Sequence, residues 1–424
     1  MSLIVASLAA CAQKPAEEEE QPGSSAGDTN KDYLNIYDFG AKGDGSTDDT
    51  QAFQNAITRA SSTAQPIFIP NGTFLITDTL KLNSVTMYGH VSGAWPADRD
   101  KLPKLVTKMT DKPLLVIASG SLSGIAIDCK YPKDTEAEPT IKLTSPGGYI
   151  SNVKISNPWT GIYFDDSNMQ AYNPGRVNIE NVFMVSVQNM GVYAAGTLDV
   201  ANLRNIEVWT PQGTSENFPK KGIGFYFGKN DNLRASDLFV FNAQTGYYIK
   251  GGDWDENGCH WGTLSNCSVD YTSYGIVMGP TDDIQNGANY LTVTGGSYWT
   301  HNGAIKTDEK FDGYLTVTGA ELRSNGQPAV QIGGGKNVSL SGCLISREFT
   351  DIDNYALQIT GGKNVVVGNS IINSTSKAVA ITTPGALVFE GNIITYKSTA
   401  IDYLTDDKSK HIVQNNVTNL NDRT

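Results

Sequence analysis

Short apolar runs alternate with stretches of Asn, Thr, Ser and Gly along most of the chain. That pattern predicts many strands joined by tight turns rather than long amphipathic helices. The stretch YLTVTGGSY at 290–298 returns as YLTVTGAEL at 314–322. Extended in both directions, its central glycine becomes a ladder: Gly124, Asn152, Asn181, Asn205, Asp237, Asn266, Gly295, Gly319, Gly342, Gly368 and Gly391. Each member follows a short β-rich run. A second ladder interleaves with the first, a small residue opening an alternating strand at Gly161, Gly191, Gly222, Gly246, Gly275 and Gly303, then at Ala329, Ala356, Ala378 and Ala400. Three short strands per repeat describe one coil of a parallel β-helix. A single coil cannot bury its apolar face, and stacking supplies the missing contacts. Small residues permit tight corners, and stacked Asn side chains can hydrogen-bond from coil to coil. An ordinary β-sandwich with glycine turns is the alternative, and the persistence of both ladders argues against it.

The run NIYDFGAKGDGSTDDTQAFQNAI, residues 35–57, departs from this pattern. Gly40, Gly43 and Gly45 allow turns that other residues resist. A helix is expected over 48–60, capped by Thr47 or Asp48, with Ala52, Phe53, Ala56 and Ile57 on its apolar face. It would cover the open N-terminal end of the coil stack. Asp44, Asp48 and Asp49 therefore read as structural rather than catalytic. Together with IFIPNGTFLIT at 67–77, this run resembles the N-terminal signature of the pectate-lyase-like superfamily, which includes polygalacturonases, rhamnogalacturonases and tailspike depolymerases. The resemblance implies an all-β chain: a single-stranded right-handed parallel β-helix over about 33–419 with an N-terminal capping helix. It also implies a substrate groove along the sheet that the second ladder opens.

Charge narrows the partners. The chain has 424 residues and a net charge of −12, so nucleic acid binding has no electrostatic support. The opening MSLIVASLAAC resembles the lipobox of bacterial lipoproteins, with Cys11 as the lipidated residue. Residues 1–11 then form a signal remnant, although a basic n-region is missing. Residues 12–32, including EEEEQPGSSAGD, read as a flexible acidic tether. The expectation is a secreted or cell-surface lipoprotein, in the bacterial outer membrane or periplasm, attached to membrane only through a lipid on Cys11. No later stretch is apolar for long enough to span a membrane. Cys129, Cys259, Cys267 and Cys343 show no CxxC spacing, which argues against a zinc cluster. Cys267 and Cys343 read as buried thiols, and a Cys259–Cys267 pair is a minor alternative.

Long turns cluster on the coils between about 160 and 315, and long loops on a rigid scaffold are where binding usually resides. If Ile162 and Phe164 face inward, Tyr163 and Asp165 face outward, and the same phase exposes Tyr193, Tyr226, Tyr248 and Lys250. A line of tyrosines suits stacking on sugar rings. The insertion GGDWDENGCHWG offers Asp253, Trp254, Asp255, Glu256, His260 and Trp261, and GPTDDIQNG offers Asp282 and Asp283. Asp253 and Asp282 have equal offsets from Gly246 and Gly275. Coils stack about 4.8 Å apart, so loops of matching shape would bring these two carboxylates to roughly 5 Å, the spacing of a retaining glycosidase pair or a shared cation. Asp255 with Asp283 would suit the wider inverting pair. Solvated turn aspartates are the plain alternative.

The candidate acids are thus Asp253, Asp255, Glu256, Asp282 and Asp283, then the strand-end doublet Asp165–Asp166. Tyr163, Tyr193, Tyr226, Tyr248, Lys250, Trp254 and Trp261 are candidate substrate-binding residues. The polygalacturonase order Asn-Thr-Asp, Asp-Asp, Gly-His-Gly, Arg-Ile-Lys is absent, and Gly89-His90 precedes the groove coils. The leading reading is an extracellular polysaccharide-degrading enzyme, a glycoside hydrolase with paired carboxylates and no required cofactor. The alternatives are a uronate lyase or epimerase with a Lys, Tyr or His base, where Ca2+ would enter, and a non-catalytic glycan-binding or structural β-helix.

Overall fold

The structure is a computed structural model that describes residues 32–90, 102–167, 173–210, 221–250, 261–281, 289–348, 353–405 and 407–420. Tyr33–Thr424 form one compact unit. Every strand pairing among the described residues is parallel and joins one coil to the next. Three sheets result. Sheet one runs from Leu80–Asn83 through Thr160–Phe164 and Thr245–Ile249 to Thr399–Tyr403. Sheet two runs from Leu34–Asn35 through Trp261–Ser265 to His411–Gln414. Sheet three runs from Asp44–Asp48 through Phe239–Phe241 to Val417–Leu420. After the first coil, in which the helix Thr50–Thr63 stands where a sheet-one strand would be, the coils visit sheets two, three and one in turn, as the right-handed parallel β-helix requires.

Register makes the core. Ile141, Ile162, Val192, Phe225, Tyr247, Ile276 and Ile305 are successive Cα partners in sheet one, and all are fully buried. Each such side chain contributes about 1.5–3 kcal/mol relative to exposure. The corner between sheets two and three is the first ladder. Asn152, Asn181, Asn205, Asp237 and Asn266 hold φ between 51° and 55°, and Gly295, Gly319 and Gly342 continue the same left-handed turn. Asn205 Nδ2 donates to Asn181 Oδ1 at 2.8 Å and Asn266 Nδ2 to Asp237 Oδ1 at 2.8 Å. An amide that tolerates positive φ and bonds its neighbour above satisfies the corner twice.

The structure corrects both ladders in detail. At the coil of Gly368 the left-handed residue is Asn369, at φ 50°, because Gly368 still pairs with Glu390 in sheet two. In the second ladder the equivalent residues are Gly224 and Ala304, not Gly222 and Gly303. Phe225 and Ile305, not Ile223, occupy the inward column. Close approach explains the small residues: a Cβ on Gly191 would lie 2.5 Å from the Gly224 carbonyl oxygen and 2.6 Å from a Val208 methyl.

Helix α1 spans Thr50–Thr63 and buries Ala52, Phe53, Ala56, Ile57 and Ala60. It packs at the N-terminal end, with Phe53 edge-on to Phe74 at 5.4 Å. It starts two residues later than expected, and neither Thr47 nor Asp48 is the N-cap residue. That residue is Asp49, whose side chain makes no capping bond. Instead the buried Asp49 carboxylate accepts the amides of Lys42 and Gly43 at 2.6 and 3.1 Å. Asp48 accepts the Thr50 amide at 3.0 Å. Asp44 accepts the amides of Ser46 and Thr47 at 2.8 and 2.7 Å, and its pKa is lowered chiefly by the Thr47 and Ser46 amides. The three aspartates tie the glycine-rich turn to the helix start. Among the described residues no helix is long and apolar enough to cross a membrane. Cys129, Cys267 and Cys343 are buried free thiols; Cys11 and Cys259 lie outside the described residues.

Candidate functional site

The outer face of sheet one carries the tyrosine line. Lys142, Tyr163, Tyr193, Tyr226, Tyr248, Val277 and Lys306 are successive register partners. The alternation that buries Ile162 and Phe164 turns these side chains outward. The rings stack on one another, with centroids 4.5, 4.9 and 5.3 Å apart and planes within 9°, 17° and 18°. This differs from the expected platform for sugar rings. Coil spacing equals aromatic stacking distance, so neighbouring phenols cover each other's faces and the line presents ring edges. At its end, a Cβ on Gly279 would lie 2.5 Å from the Tyr248 hydroxyl oxygen, so the absence of a side chain there leaves room for that phenol.

Two of these phenols converge on one carboxylate. Tyr193 donates to Asp166 Oδ2 at 2.8 Å, and Tyr163 donates to Oδ1 at 3.3 Å. Burial pushes the Tyr163 phenol up to about 12, with the Asp166 charge adding to it. Burial and the Asp166 hydrogen bond push Tyr193 up as well. Both stay protonated at neutral pH and act as donors. Asp165, at the end of the same strand, pairs with Lys142 Nζ at 3.1 Å. Burial works to raise the Asp165 pKa, but hydrogen bonds from Ser167 and the Lys142 ammonium outweigh it and the value is lowered. Lys142 also lies 5.9 Å from the Tyr163 ring centroid. The sequence reading missed Lys142, although the alternation Ile141-Lys142-Leu143 one coil before Gly161 carries the signal.

The description "Rhamnogalacturonase A/epimerase, pectate lyase-like" matches residues 33–96, and "Right handed beta helix region" matches 254–419. The A-module of a mannuronan C-5 epimerase from Azotobacter vinelandii superposes with a TM-score of 0.57 at 15% identity, covering 91% of this chain and 99% of that one. The chain has the right-handed parallel β-helix fold. A tailspike protein mutant of E. coli bacteriophage HK620 in complex with pentasaccharide superposes at 0.59, with 10% identity over 91% of this chain and 78% of that one. The catalytic unit of an alpha-1,3-glucanase from Streptomyces thermodiastaticus superposes at 0.56, with 15% identity over 93% of this chain and 70% of that one. At such identities the likeness is one of fold. A non-secreted LysM effector of Penicillium expansum is 43% identical over 49 residues, 12% of this chain and 4% of that protein.

Around this sheet the remaining candidates fall in three places. Asp253, Trp254, Asp255, Glu256, His260, Asp282 and Asp283 lie outside the described residues. The strands that lead into those segments are in register, Tyr248 against Val277 and Ile249 against Met278. Lys250 ends the described part of its coil, and its carbonyl accepts Asn289 Nδ2 at 3.3 Å. Trp261 is exposed, but it opens a strand of sheet two opposite Tyr290, so it does not belong to the tyrosine line. Further along sheet one, Lys306, Asp308, Glu309, Gln331 and Gln358 line an open hollow of about 570 Å³. Among the described residues no group of three or more His, Cys, Asp or Glu is placed to hold a metal ion. The described site thus offers a cation-paired carboxylate, a second carboxylate under two phenols, and a row of hydroxyl edges.

Proposed function

We propose that this chain is a polysaccharide-cleaving enzyme of the glycoside hydrolase class, acting on the outer face of sheet one. The observation that carries this reading is the meeting of Asp165, Asp166, Lys142 and the phenols of Tyr163 and Tyr193 on the face that the long-turn coils share. Support comes from relatives in fold whose names concern glycans: a mannuronan epimerase, a tailspike bound to a pentasaccharide and a glucanase. Hydrolysis needs a proton donor for the leaving oxygen and a carboxylate that attacks or activates water. Asp165, held charged by Lys142, suits the carboxylate part. The proton donor is sought among Asp166 and the loop acids Asp253, Asp255, Glu256, Asp282 and Asp283. Phenol edges and Lys250 would orient the sugar through hydroxyl contacts.

A second reading, a uronate lyase or epimerase, is favoured by one observation: an ammonium, a carboxylate and a phenol lie together at Lys142, Asp165 and Tyr163. Such a group can neutralise a uronate and move its C5 proton. Ca2+ enters only in this reading, through acids outside the described residues.

A polysaccharide panel separates the readings. New reducing ends without double-bond absorbance support the hydrolase, with Asp166→Asn cutting the rate a hundredfold or more. Double-bond absorbance or inversion at C5 supports the second reading. Neither product, with glycan still bound, overturns both in favour of a non-catalytic binder. Attachment through a lipid on Cys11 belongs to the same cell-surface reading, and Cys11→Ala should then release the protein from membranes of its native host.

A further inference from the structure

Sheet three bears a second aromatic surface, on a different sheet from the tyrosine line. Its outward residues fall in two rows. Lys154, Phe183, Glu207 and Phe239 are successive partners in one, and Trp209, Phe241 and Asp270 in the other. The rings here do not stack as the tyrosines do. Phe183 meets Trp209 at 5.5 Å and 83°, and Trp209 meets Phe241 at 5.3 Å and 50°. Phe183 is buried with Lys154 over its ring, and Phe241 stacks on Tyr271 at 6.4 Å and 29°, so the indole of Trp209, 38% exposed, is the ring this row presents to solvent. The indole is fixed in place, because its Nε1 donates to Glu207 Oε2 at 3.1 Å. At the other end of the row the Asp270 Oδ1 atom is shielded from solvent and has no hydrogen-bond partner. A shielded acceptor left unpaired is costly unless something supplies its donor.

We propose that this face of sheet three binds a neutral glycan chain, with Trp209 packing on a pyranose C–H face, Phe241 supporting the indole, and Glu207 and Asp270 accepting sugar hydroxyls. A fixed indole face beside carboxylate acceptors matches a sugar, which has an apolar face and a rim of donors. The centre of a protein interface is depleted of charge, and two carboxylates amid the rings do not fit that composition. A uronan is disfavoured because its carboxylates would face Glu207 and Asp270. Burial raises the pKa of both acids, in keeping with a surface partly shielded from water. The proposal does not depend on any chemistry at sheet one, and it separates holding a polymer from acting on it.

The test is affinity electrophoresis of the full chain in gels cast with neutral polysaccharides (dextran, laminarin, galactomannan, xyloglucan) and with polygalacturonate and alginate. At least one neutral polymer should retard the protein. Trp209→Ala should weaken that retardation fivefold or more, and Asp270→Asn, which keeps shape and packing, several-fold. Thr316→Ala, an exposed position on sheet two away from both faces, should leave it unchanged. Circular dichroism must show the variants folded; if Trp209→Ala is not, Asp270→Asn and Phe241→Ala carry the test. Equal retardation of wild type and these variants overturns the proposal, as does retardation by acidic polymers alone or by none. A concentration-dependent dimer that Trp209→Ala abolishes also overturns it, since the face would then be a contact between copies.

Discussion

Tyr193 lies one coil above Tyr163, and the two phenols close on opposite oxygens of Asp166, at 2.8 and 3.3 Å. The arrangement protects the protonated phenol, through burial first and the Asp166 charge second. A tyrosine pKa raised on folding contributes stability that is present below the unfolded value near 10 and is lost as pH rises through the folded value. The window for Tyr163 is therefore about pH 10 to about 12. Thermal unfolding followed from pH 9 to 12 should show the midpoint falling across that window, with a shallower fall in Tyr163→Phe. Phenolate absorbance of Asp166→Asn should rise at lower pH than in wild type. The same titration curve in both proteins would refute the coupling.

The Lys142–Asp165 pair makes the opposite pH prediction. Asp165 is lowered, so its contribution is present above the unfolded carboxylate value near 4 and is lost as pH falls through the folded value. Lys142→Met should be less stable than wild type to urea at pH 7, by under about 1 kcal/mol for a partly exposed pair. The two should converge near pH 2. In any glycan assay the variant should also shift the acid limb of the pH–rate profile upward, because Asp165 then titrates without its cation. A variant with an unmoved limb would remove Asp165 from the mechanism.

Gly191 tests the corner that joins sheet three to sheet one. Its Cβ would meet a carbonyl oxygen and two Val208 methyls within 2.7 Å. Overpacking of this kind costs about 1–3 kcal/mol. Gly191→Ala should lower the midpoint of thermal unfolding clearly. Gly319→Ala is the comparison: φ is +65° there but nothing lies near the added methyl, so only backbone strain of about 1 kcal/mol is expected. If Gly319→Ala proves the more damaging, close approach is not what selects glycine in the second ladder.

These details show what the sequence could carry. Coil repeats were legible because each coil must close with the same corner chemistry, so Asn152, Asn181 and Asn205 recur at matching places. The shift from Gly222 to Gly224 was not, since both are glycines near the start of one strand and only pairing with Gly191 and Gly246 tells them apart. Outward orientation of Tyr163, Tyr193, Tyr226 and Tyr248 followed from alternation. Their mutual stacking did not, because alternation fixes which way a ring points, while the tilt that closes 4.5–5.3 Å contacts depends on neighbours above and below. Lys142 and Asp165 are 23 residues apart in sequence and meet only through the coil stack. The pairing of Asp166 with two phenols likewise needs the turn after Phe164 to bend back over the sheet.

The last prediction concerns the acids carried by 251–260 and 282–288. Tyr248 and Val277 are register partners, and Asp253 and Asp282 each follow five residues later. If the two segments leave the sheet along the same path, coil stacking brings their carboxylates to about 5 Å, the separation of a retaining pair. Asp253→Asn and Asp282→Asn should then each cut turnover a hundredfold or more, about 3 kcal/mol in the barrier. The fold should survive by circular dichroism, because the described strands that precede them, Thr245–Ile249 and Ser268–Met278, pair without either side chain. A retaining pair also fixes the stereochemistry: the product's anomeric configuration, read by NMR within minutes of mixing, should match that of the substrate. Inversion would point instead to acids farther apart, such as Asp255 with Asp283. Near-wild-type rates in both variants would leave the acids of sheet one, Asp165 and Asp166, to carry the reaction alone.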